Sequence, residues 1–205
     1  MSLPIHPIME QSFAVIDQEI GEHHFSPAEY AIVRRVIHST ADFEFAKTIR
    51  FSADAIASGI LALQLQYPII TDVGMVKQGV AGMVAKTFGN TLIAAVEQVT
   101  EALPGKTLTE TGLIQCFKKF PGAIFVIGNA PTALLALCNQ LSTAPIQPAL
   151  VIGVPVGFIS VVESKEILAK TSVPQIRVEG RKGGSPVAAA ILNALTVLAW
   201  EEKGC

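Results

Sequence analysis

Residues 120–162 read FPGAIFVIGNAPTALLALCNQLSTAPIQPALVIGVPVGFISVV and contain no charged side chain. The stretch holds two apolar runs that resemble strands, at 123–127 and 149–154, and a glycine-containing loop follows each of them. The first loop leads straight into a helix-like run, and the second reaches one after a few residues. Strands that are apolar on both faces and alternate with helices are typical of a parallel sheet that is covered on both sides.

The same alternation extends to both sides of this stretch. Further strands are predicted at 69–70, 91–95 and 174–178. Helix-like segments separate or follow the strands, around 75–84, 96–103, 132–141, 162–170 and 187–200. The pattern predicts an α/β fold of three layers, with a mostly parallel five-stranded sheet and helices on both faces, in a Rossmann-like arrangement.

The first third of the chain is predicted to be an N-terminal helical segment. Residues 9–20 place apolar side chains on a rough helical stripe. The SPAE motif at 26–29 has the form of a capping box with proline at the first helical position. Ser52 can cap a further helix over 53–65, and Ser185 can cap the last helix of the chain.

The bulk composition limits the class of protein. The chain has 205 residues, of which 50% are hydrophobic, and a formal net charge of −2, which suits one domain spanning 1–205. Prolines interrupt the charge-free stretch, so no run reaches the ~20 apolar residues of a membrane-spanning helix. The slightly negative net charge is not typical of nucleic-acid binders, which present a basic surface. Neither a membrane nor a nucleic acid is therefore an expected partner.

The cysteines and the N-terminus bear on the compartment. Cys116, Cys138 and Cys205 are an odd number without CxxC spacing, which predicts reduced thiols and neither a disulfide framework nor a zinc site. The first residues lack the basic and apolar regions of a signal peptide. We therefore expect a cytoplasmic protein without a metal site of its own.

Three loops that follow predicted strands are candidate ligand sites. The GRKGGS loop at 180–185 combines glycines, a basic pair and a helix start, which favours a bound carboxylate or phosphate over a flexible turn with a solvated basic pair. The loop at 128–132 offers backbone N–H groups with the side chains of Asn129 and Thr132. It lacks the Walker lysine and the GxGxxG pattern, so a nucleotide cofactor is weakly supported. Gly157 and Phe158 suit either a flat ligand or a tight turn.

His38 is the candidate for acid–base chemistry. Arg35 lies one turn before it and Asp42 one turn after it. Histidine changes charge near neutral pH and can act as a general acid, whereas its position alone favours a structural role at a helix C-terminus. Asp72 can cap the helix that follows it, and Lys77 can face either ligand or solvent.

In this order, the motifs resemble the precorrin-8X methylmutase family of cobalamin biosynthesis. The resemblance covers most of the chain. The matching segments are 6–12, 35–43, 49–52, 72–76, 128–134, 155–158 with 163–165, and 180–185 with 193–195.

The resemblance implies an isomerase that moves a methyl group from C-11 to C-12 of precorrin-8X or cobalt-precorrin-8. Its product is hydrogenobyrinate or cobyrinate, and both substrate and product are corrinoid tetrapyrroles. The resemblance implies that His38 protonates the macrocycle and eases a 1,5-sigmatropic shift without a cofactor, with cobalt present only when the substrate carries it. It also implies a homodimer with the active site near the subunit interface. A corrinoid carrier on the same fold and a nucleotide-dependent enzyme are the alternatives.

The loops and the resemblance together predict a set of substrate contacts around His38. They are Ser12, Arg35, Thr40, Asp72, Met75, Lys77, Asn129, Thr132, Gly157, Phe158, Arg181, Lys182, Gly183 and Gly184.

One departure from the family pattern concerns an arginine. Relatives carry a threonine–arginine pair before the strand that leads to the 128–132 loop, whereas the nearest match here is Thr109-Glu110-Thr111. Either Lys118 or Lys119 compensates, or the carboxylates are bound differently, or the alignment is shifted. This departure motivates the carrier alternative.

Overall fold

The computed structural model describes residues 6–204. In this range the helices are α1 (Pro7–Ile20), α2 (Pro27–Thr40), α3 (Phe45–Thr48), α4 (Ala55–Gln64), α5 (Gly74–Lys86), α6 (Leu108–Lys119), α7 (Pro131–Leu141), α8 (Val161–Ala169) and α9 (Ser185–Lys203). The strands of the same range are β1 (Ile49–Phe51), β2 (Ile69–Thr71), β3 (Leu92–Ala94), β4 (Ile124–Ile127), β5 (Leu150–Gly153) and β6 (Gln175–Val178).

The strands form one sheet in the order β1-β6-β5-β4-β2-β3. All neighbours are parallel except β1, which pairs antiparallel with β6. The five predicted strands are confirmed, and β1 adds a sixth at the edge within the described residues. β2 and β4 are neighbours although β3 lies between them in the chain. Their loops therefore open at a topological switch point, where doubly wound sheets bind ligands.

The two faces of the sheet carry different helices, which confirms the three-layer prediction. Ile69, Ile124 and Ile152 pack with α2, α4, α5 and α9 in the larger hydrophobic cluster. Phe125 and Val151 point the other way and pack with α6, α7 and α8. The alternation follows from the two-residue period of a strand, so a strand buried on both faces must be apolar throughout.

The segment between β3 and β4 differs from the prediction. A helix expected over 96–103 is reduced to one 3₁₀ turn, Ala95–Glu97, and α6 begins only at Leu108. The N–H of Leu103 donates to the hydroxyl of Thr111 at 3.0 Å instead of to a helix carbonyl group, and Gly105, with a φ of 73°, forms a turn before α6. The side chain of Thr107 accepts the N–H of Glu110, and the Thr-x-x-Glu pattern at 107–110 is the sequence signal for this helix start.

Of the predicted helix caps, Ser26 is confirmed, whereas Ser52 and Ser185 do not cap their helices. The capping box at Ser26 is confirmed, with reciprocal bonds to Glu29. Ser52 instead accepts the N–H of Gln175 at 2.8 Å, so it ties the turn after β1 to β6. Ser185 is already helical, and the cap position belongs to Gly184, which has no side chain to offer.

The cysteines of the described residues are buried free thiols. Cys116 lies in α6 and Cys138 in α7. Burial raises the pKa of Cys116 to about 11 and that of Cys138 to about 12, so both thiols are protonated near neutral pH. Cys205 lies outside the described residues. None of the helices in residues 6–204 has the length and apolarity to cross a bilayer.

Candidate active site

The candidate site lies along the carboxyl edge of the parallel strands. The loops that follow β2, β4, β5 and β6 all emerge there because these strands run in one direction. The end of α2 reaches the same edge, since Ile49 at the start of β1 is paired with Val178 at the end of β6. Lys182 then joins the two segments, with Nζ 2.6 Å from Asp42 and 2.7 Å from Glu44.

Asp72 organises the switch point of this edge. Its carboxylate accepts four backbone N–H groups, from Val73 (2.9 Å), Gly128 (3.1 Å), Asn129 (2.6 Å) and Ala130 (2.8 Å). The residue has 0% exposure. Burial raises the pKa of Asp72, and the four N–H bonds act in the opposite direction. The predicted substrate contact does not fit this burial, nor does the predicted role as a helix cap, because Asp72 instead fixes the loop after β4.

Because Asp72 accepts the backbone N–H groups of residues 128–130, these residues offer a ligand their side chains and not their N–H groups. Asn129 is exposed, while its N–H is bound to Asp72. The hydroxyl of Thr132 lies 3.1 Å from that of Thr107, so the first turn of α6 reaches the same edge.

The glutamate that departs from the family pattern lies in this first turn of α6. Lys106 forms an ion pair with Glu110 at 2.5 Å. Lys118 and Lys119 lie in the last turn of α6, roughly 15 Å further along the helix axis by its rise per residue. Both lysines therefore lie at the far end of α6 from Glu110, and compensation by either of them remains a prediction.

The loop after β6 presents a cation and an aromatic ring together. The guanidinium of Arg181 lies 5.7 Å from the centre of the Phe158 ring, and Phe158 is 83% exposed. Lys182 is instead occupied by Asp42 and Glu44, whose hydrogen bonds raise its pKa. The same contact with Lys182, followed by the Glu44 N–H, lowers the pKa of Asp42. Arg181 is thus better placed than Lys182 to meet an anionic ligand.

Gly157, Gly183 and Gly184 determine the backbone conformation of the loops after β5 and β6. All three have positive φ angles, of 143°, 152° and 116°. A Cβ on Gly183 would lie 2.2 Å from the carbonyl oxygen of Val154. The Gly184 N–H donates to that same oxygen at 2.8 Å. Glycine is required here because the loops after β5 and β6 touch backbone to backbone.

Beneath these loops lies Lys165. It belongs to the matching segment 163–165 and is not among the predicted substrate contacts. Its side chain is buried at 3% exposure. Its Nζ donates to the carbonyl oxygens of Gly180 at 2.9 Å and Lys182 at 2.7 Å. No sequence signal could have paired them, since they lie 15 and 17 residues away across a strand.

His38 lies half-buried in the last turn of α2. Its ring packs edge-on against Phe13 of α1, with centroids 5.4 Å apart. Burial lowers the pKa of His38, and the charge of Arg35 lowers it further. The imidazole is therefore neutral in the free protein near pH 7.

Arg35 is a half-buried cation beside His38. Its Nη1 donates to the sulfur of Met9 at 3.0 Å, and burial lowers its pKa. The guanidinium borders a cavity of about 190 Å³ between α1, α2, α5 and α9, which is lined by Met9, Phe13, Ala31, Arg34, Arg35, Met83, Ala194, Val197, Leu198 and Glu201. A thioether is a weak acceptor for a guanidinium, so Arg35 retains donors for a stronger partner.

The remaining predicted contacts lie on α1, α2 and α5. The hydroxyls of Ser12 and Thr40 donate to backbone oxygens of their own helices, at 2.8 Å each. Met75 is 71% exposed in the first turn of α5. Lys77 is paired with Glu97 at 2.6 Å, so its charge is already offset.

Comparison with known proteins assigns the family. The model of the family described as precorrin-8X methylmutase matches residues 7–198. The chain belongs to the precorrin-8X methylmutase family. It is 54% identical to the cobalt-precorrin-8 methylmutase of Synechocystis sp., over 96% of this chain and 97% of that protein. It is 42% identical to the cobalt-precorrin-8 methylmutase of Priestia megaterium, over 92% and 86% of the two chains.

Solved structures of methylmutases agree with the fold. The chain is similar to the precorrin-8X methyl mutase of Thermus thermophilus, with a TM-score of 0.89, 41% identity and coverage of 95% and 96%. A precorrin-8X methylmutase related protein follows with a TM-score of 0.80 and 31% identity, covering 90% of this chain and 98% of that one. The resemblance stated from the motifs is confirmed. The chain is an isomerase of the methylmutase family, in cobalamin biosynthesis.

Proposed function

We propose that the protein moves a methyl group from C-11 to C-12 of precorrin-8X or cobalt-precorrin-8, giving hydrogenobyrinate or cobyrinate. The observation that carries the proposal is the half-buried imidazole of His38 in a methylmutase chain, at the sheet edge that also bears the glycine loops. One carbon–carbon bond breaks and another forms, so no atom enters or leaves the substrate.

His38 acts as a general acid in this proposal. Its proton goes to the macrocycle, where the positive charge eases the 1,5-shift, and returns after the methyl group has moved. The free protein holds the imidazole neutral because it is partly buried and Arg35 lies close by. A substrate carboxylate on Arg35 offsets that charge, so substrate binding favours the protonated imidazole. The imidazole is therefore protonated, and able to act as a general acid, mainly when the substrate is bound.

The acetate and propionate groups of the macrocycle require cationic or N–H partners at its rim. The half-buried Arg35 and the exposed Arg181 are candidate cations near this edge, and Asn129 adds a side-chain amide. Phe158 provides an exposed ring that can lie against a flat ligand. The proposal includes no cofactor of the protein's own, and cobalt belongs to the substrate.

We further propose a homodimer in the cytoplasm. Val156, Phe158 and Ile159 are exposed by 44%, 83% and 83% beside the site, and a partner subunit or the substrate would cover this apolar surface. The cytoplasmic location rests on the free thiols of Cys116 and Cys138. Light scattering on the purified protein tests the dimer, and a monomer at micromolar concentration contradicts it.

The decisive experiment replaces His38 by alanine. The variant should still bind substrate and lose about 10²–10⁴-fold in kcat, the usual contribution of general acid catalysis. His24→Ala is the matched control because His24 is an exposed loop histidine. Turnover is followed as a change in absorbance at constant mass, with precorrin-8 and cobalt-precorrin-8 as separate substrates.

The outcomes separate enzyme from carrier. Undiminished turnover by His38→Ala removes the imidazole from the mechanism. A wild-type protein that binds both corrinoids and converts neither refutes the proposal and supports the carrier alternative.

A further inference from the structure

In the β6–α9 loop, residues 179–184, neighbouring segments hold the carbonyl groups of three successive residues. The carbonyl oxygens of Gly180 and Lys182 accept from Lys165. The carbonyl oxygen of Arg181 accepts the N–H of Gly157 at 3.3 Å. Three successive carbonyl groups are therefore bound to donors of the protein.

The trans peptide bond fixes what the N–H groups then do. A planar trans peptide points its N–H away from its C=O, and no peptide in the described range is cis. Inward carbonyl groups at Gly180 and Lys182 therefore turn the N–H groups of Arg181 and Gly183 outward. Across residues 6–204 neither of these N–H groups has a protein acceptor.

We propose that Lys165 is a positioning residue for the substrate, whose ammonium group holds the carbonyl oxygens of Gly180 and Lys182 inward so that the N–H groups of Arg181 and Gly183 face outward and receive a substrate carboxylate. The inference rests on the proposed function, since it assigns the ligand to the corrinoid's acidic side groups. Backbone N–H groups of a turn that face one side can form an anion-binding concavity.

The charge of Lys165 adds to the effect, since no carboxylate within residues 6–204 forms an ion pair with it. Among the described residues, its ammonium group has carbonyl oxygens as hydrogen-bond partners. A cavity of about 170 Å³ adjoins it and is lined by Val162, Lys165, Glu166, Ala169, Arg177, Glu179 and Gly180. Glu179, one of the two acids there, is paired with Arg50 at 2.7 Å. Burial lowers the pKa of Lys165 to about 8, which leaves the group charged near pH 7.

Steady-state kinetics of a Lys165→Met variant tests the proposal. Methionine keeps the length and removes the donors, so the loop amides are no longer held outward. A carboxylate bound equally in ground and transition state affects KM alone, so we expect KM to rise about tenfold with kcat unchanged. Lys170→Met is the control because Lys170 ends the same helix and is exposed. Lys165→Arg, which retains charged donors, should recover part of the affinity.

An amide NMR titration with hydrogenobyrinate provides a readout that does not need the variant to fold. In the wild-type protein, the amide resonances of Arg181 and Gly183 should shift on binding, and that of Gly89, which precedes β3 at the opposite edge of the sheet, should not. In folded Lys165→Met, these shifts should shrink. Unmoved Arg181 and Gly183 resonances at saturation, or an unchanged KM in folded Lys165→Met, overturn the proposal.

The two proposals fail in different ways. Wild-type protein without isomerase activity refutes the proposed function, while the titration with hydrogenobyrinate still decides the role of Lys165. Active wild-type protein whose KM is insensitive to Lys165→Met refutes the role of Lys165 alone.

Discussion

At the scale of single residues, the charge of Arg35 controls the protonation of His38. Partial burial and the neighbouring guanidinium both disfavour the imidazolium, and burial is the larger effect. Arg35→Met removes one of the two causes. The pKa of His38 should therefore rise towards its ordinary value of about 6.5 without reaching it.

The measurement is an NMR titration of the His38 ring proton in the ligand-free protein. Arg35→Lys keeps a positive charge at the same place and should leave the pKa low. A pKa in Arg35→Met at or below that of the wild type would show that Arg35 does not act on the imidazole.

Relations between residues that are close in sequence can be predicted, and relations across space cannot. The sequence places His38 and Arg35 one helical turn apart, and the glycine loop that holds Arg181 predicts an anion site. Lys182 was expected to bind substrate, but its acidic partners are 140 and 138 residues away. No sequence pattern indicates that Asp42 and Glu44 form ion pairs with Lys182.

At the scale of elements, Gly112 lets α6 approach the 3₁₀ turn after β3 closely. A Cβ on Gly112 of α6 would lie 1.9 Å from the carbonyl oxygen of Ala95. Gly112→Ala should therefore push α6 outward and destabilise the protein by about 1–3 kcal/mol. Urea unfolding, followed by circular dichroism, measures the change.

Gly82 of α5 is the matched control for this prediction. Nothing lies within 4 Å of the Cβ that alanine would add there. Alanine has the higher helix propensity, so Gly82→Ala should stabilise the protein by about 0.5–1 kcal/mol. Equal effects at the two glycines would contradict the packing argument, since propensity alone treats them alike.

The elements with strong local signals were predicted, and those that depend on tertiary contacts were missed. Strands that are apolar throughout and helices with periodic apolar faces can be recognised from the sequence. β1 has three residues, as β2 and β3 have, but its middle residue is the charged Arg50, so its pattern does not predict a strand. It is recognised only when its pairing with β6 is seen.

At the scale of the whole molecule, the strand order explains why the candidate site lies where it does. The chain leaves β2 towards β3 on one side and returns to β4 on the other, which separates their loops at the switch point. Asp72 bridges that gap, because it follows β2 and binds three N–H groups after β4. One buried carboxylate thus joins the two halves of the sheet at the edge that bears the site.

Asp72→Asn tests this bridge. Asparagine is similar in shape, but its amide group points donors at the N–H groups of Gly128 or Asn129 and leaves them without an acceptor. Loss of these buried, charge-assisted bonds should lower the free energy of unfolding by about 2–4 kcal/mol. Asp54→Asn should change it by less than about 0.5 kcal/mol, because Asp54 is exposed and makes no side-chain cap. Hydrogen exchange should accelerate first at Asn129 and Ala130, and uniform acceleration across the sheet would argue against a local bridge.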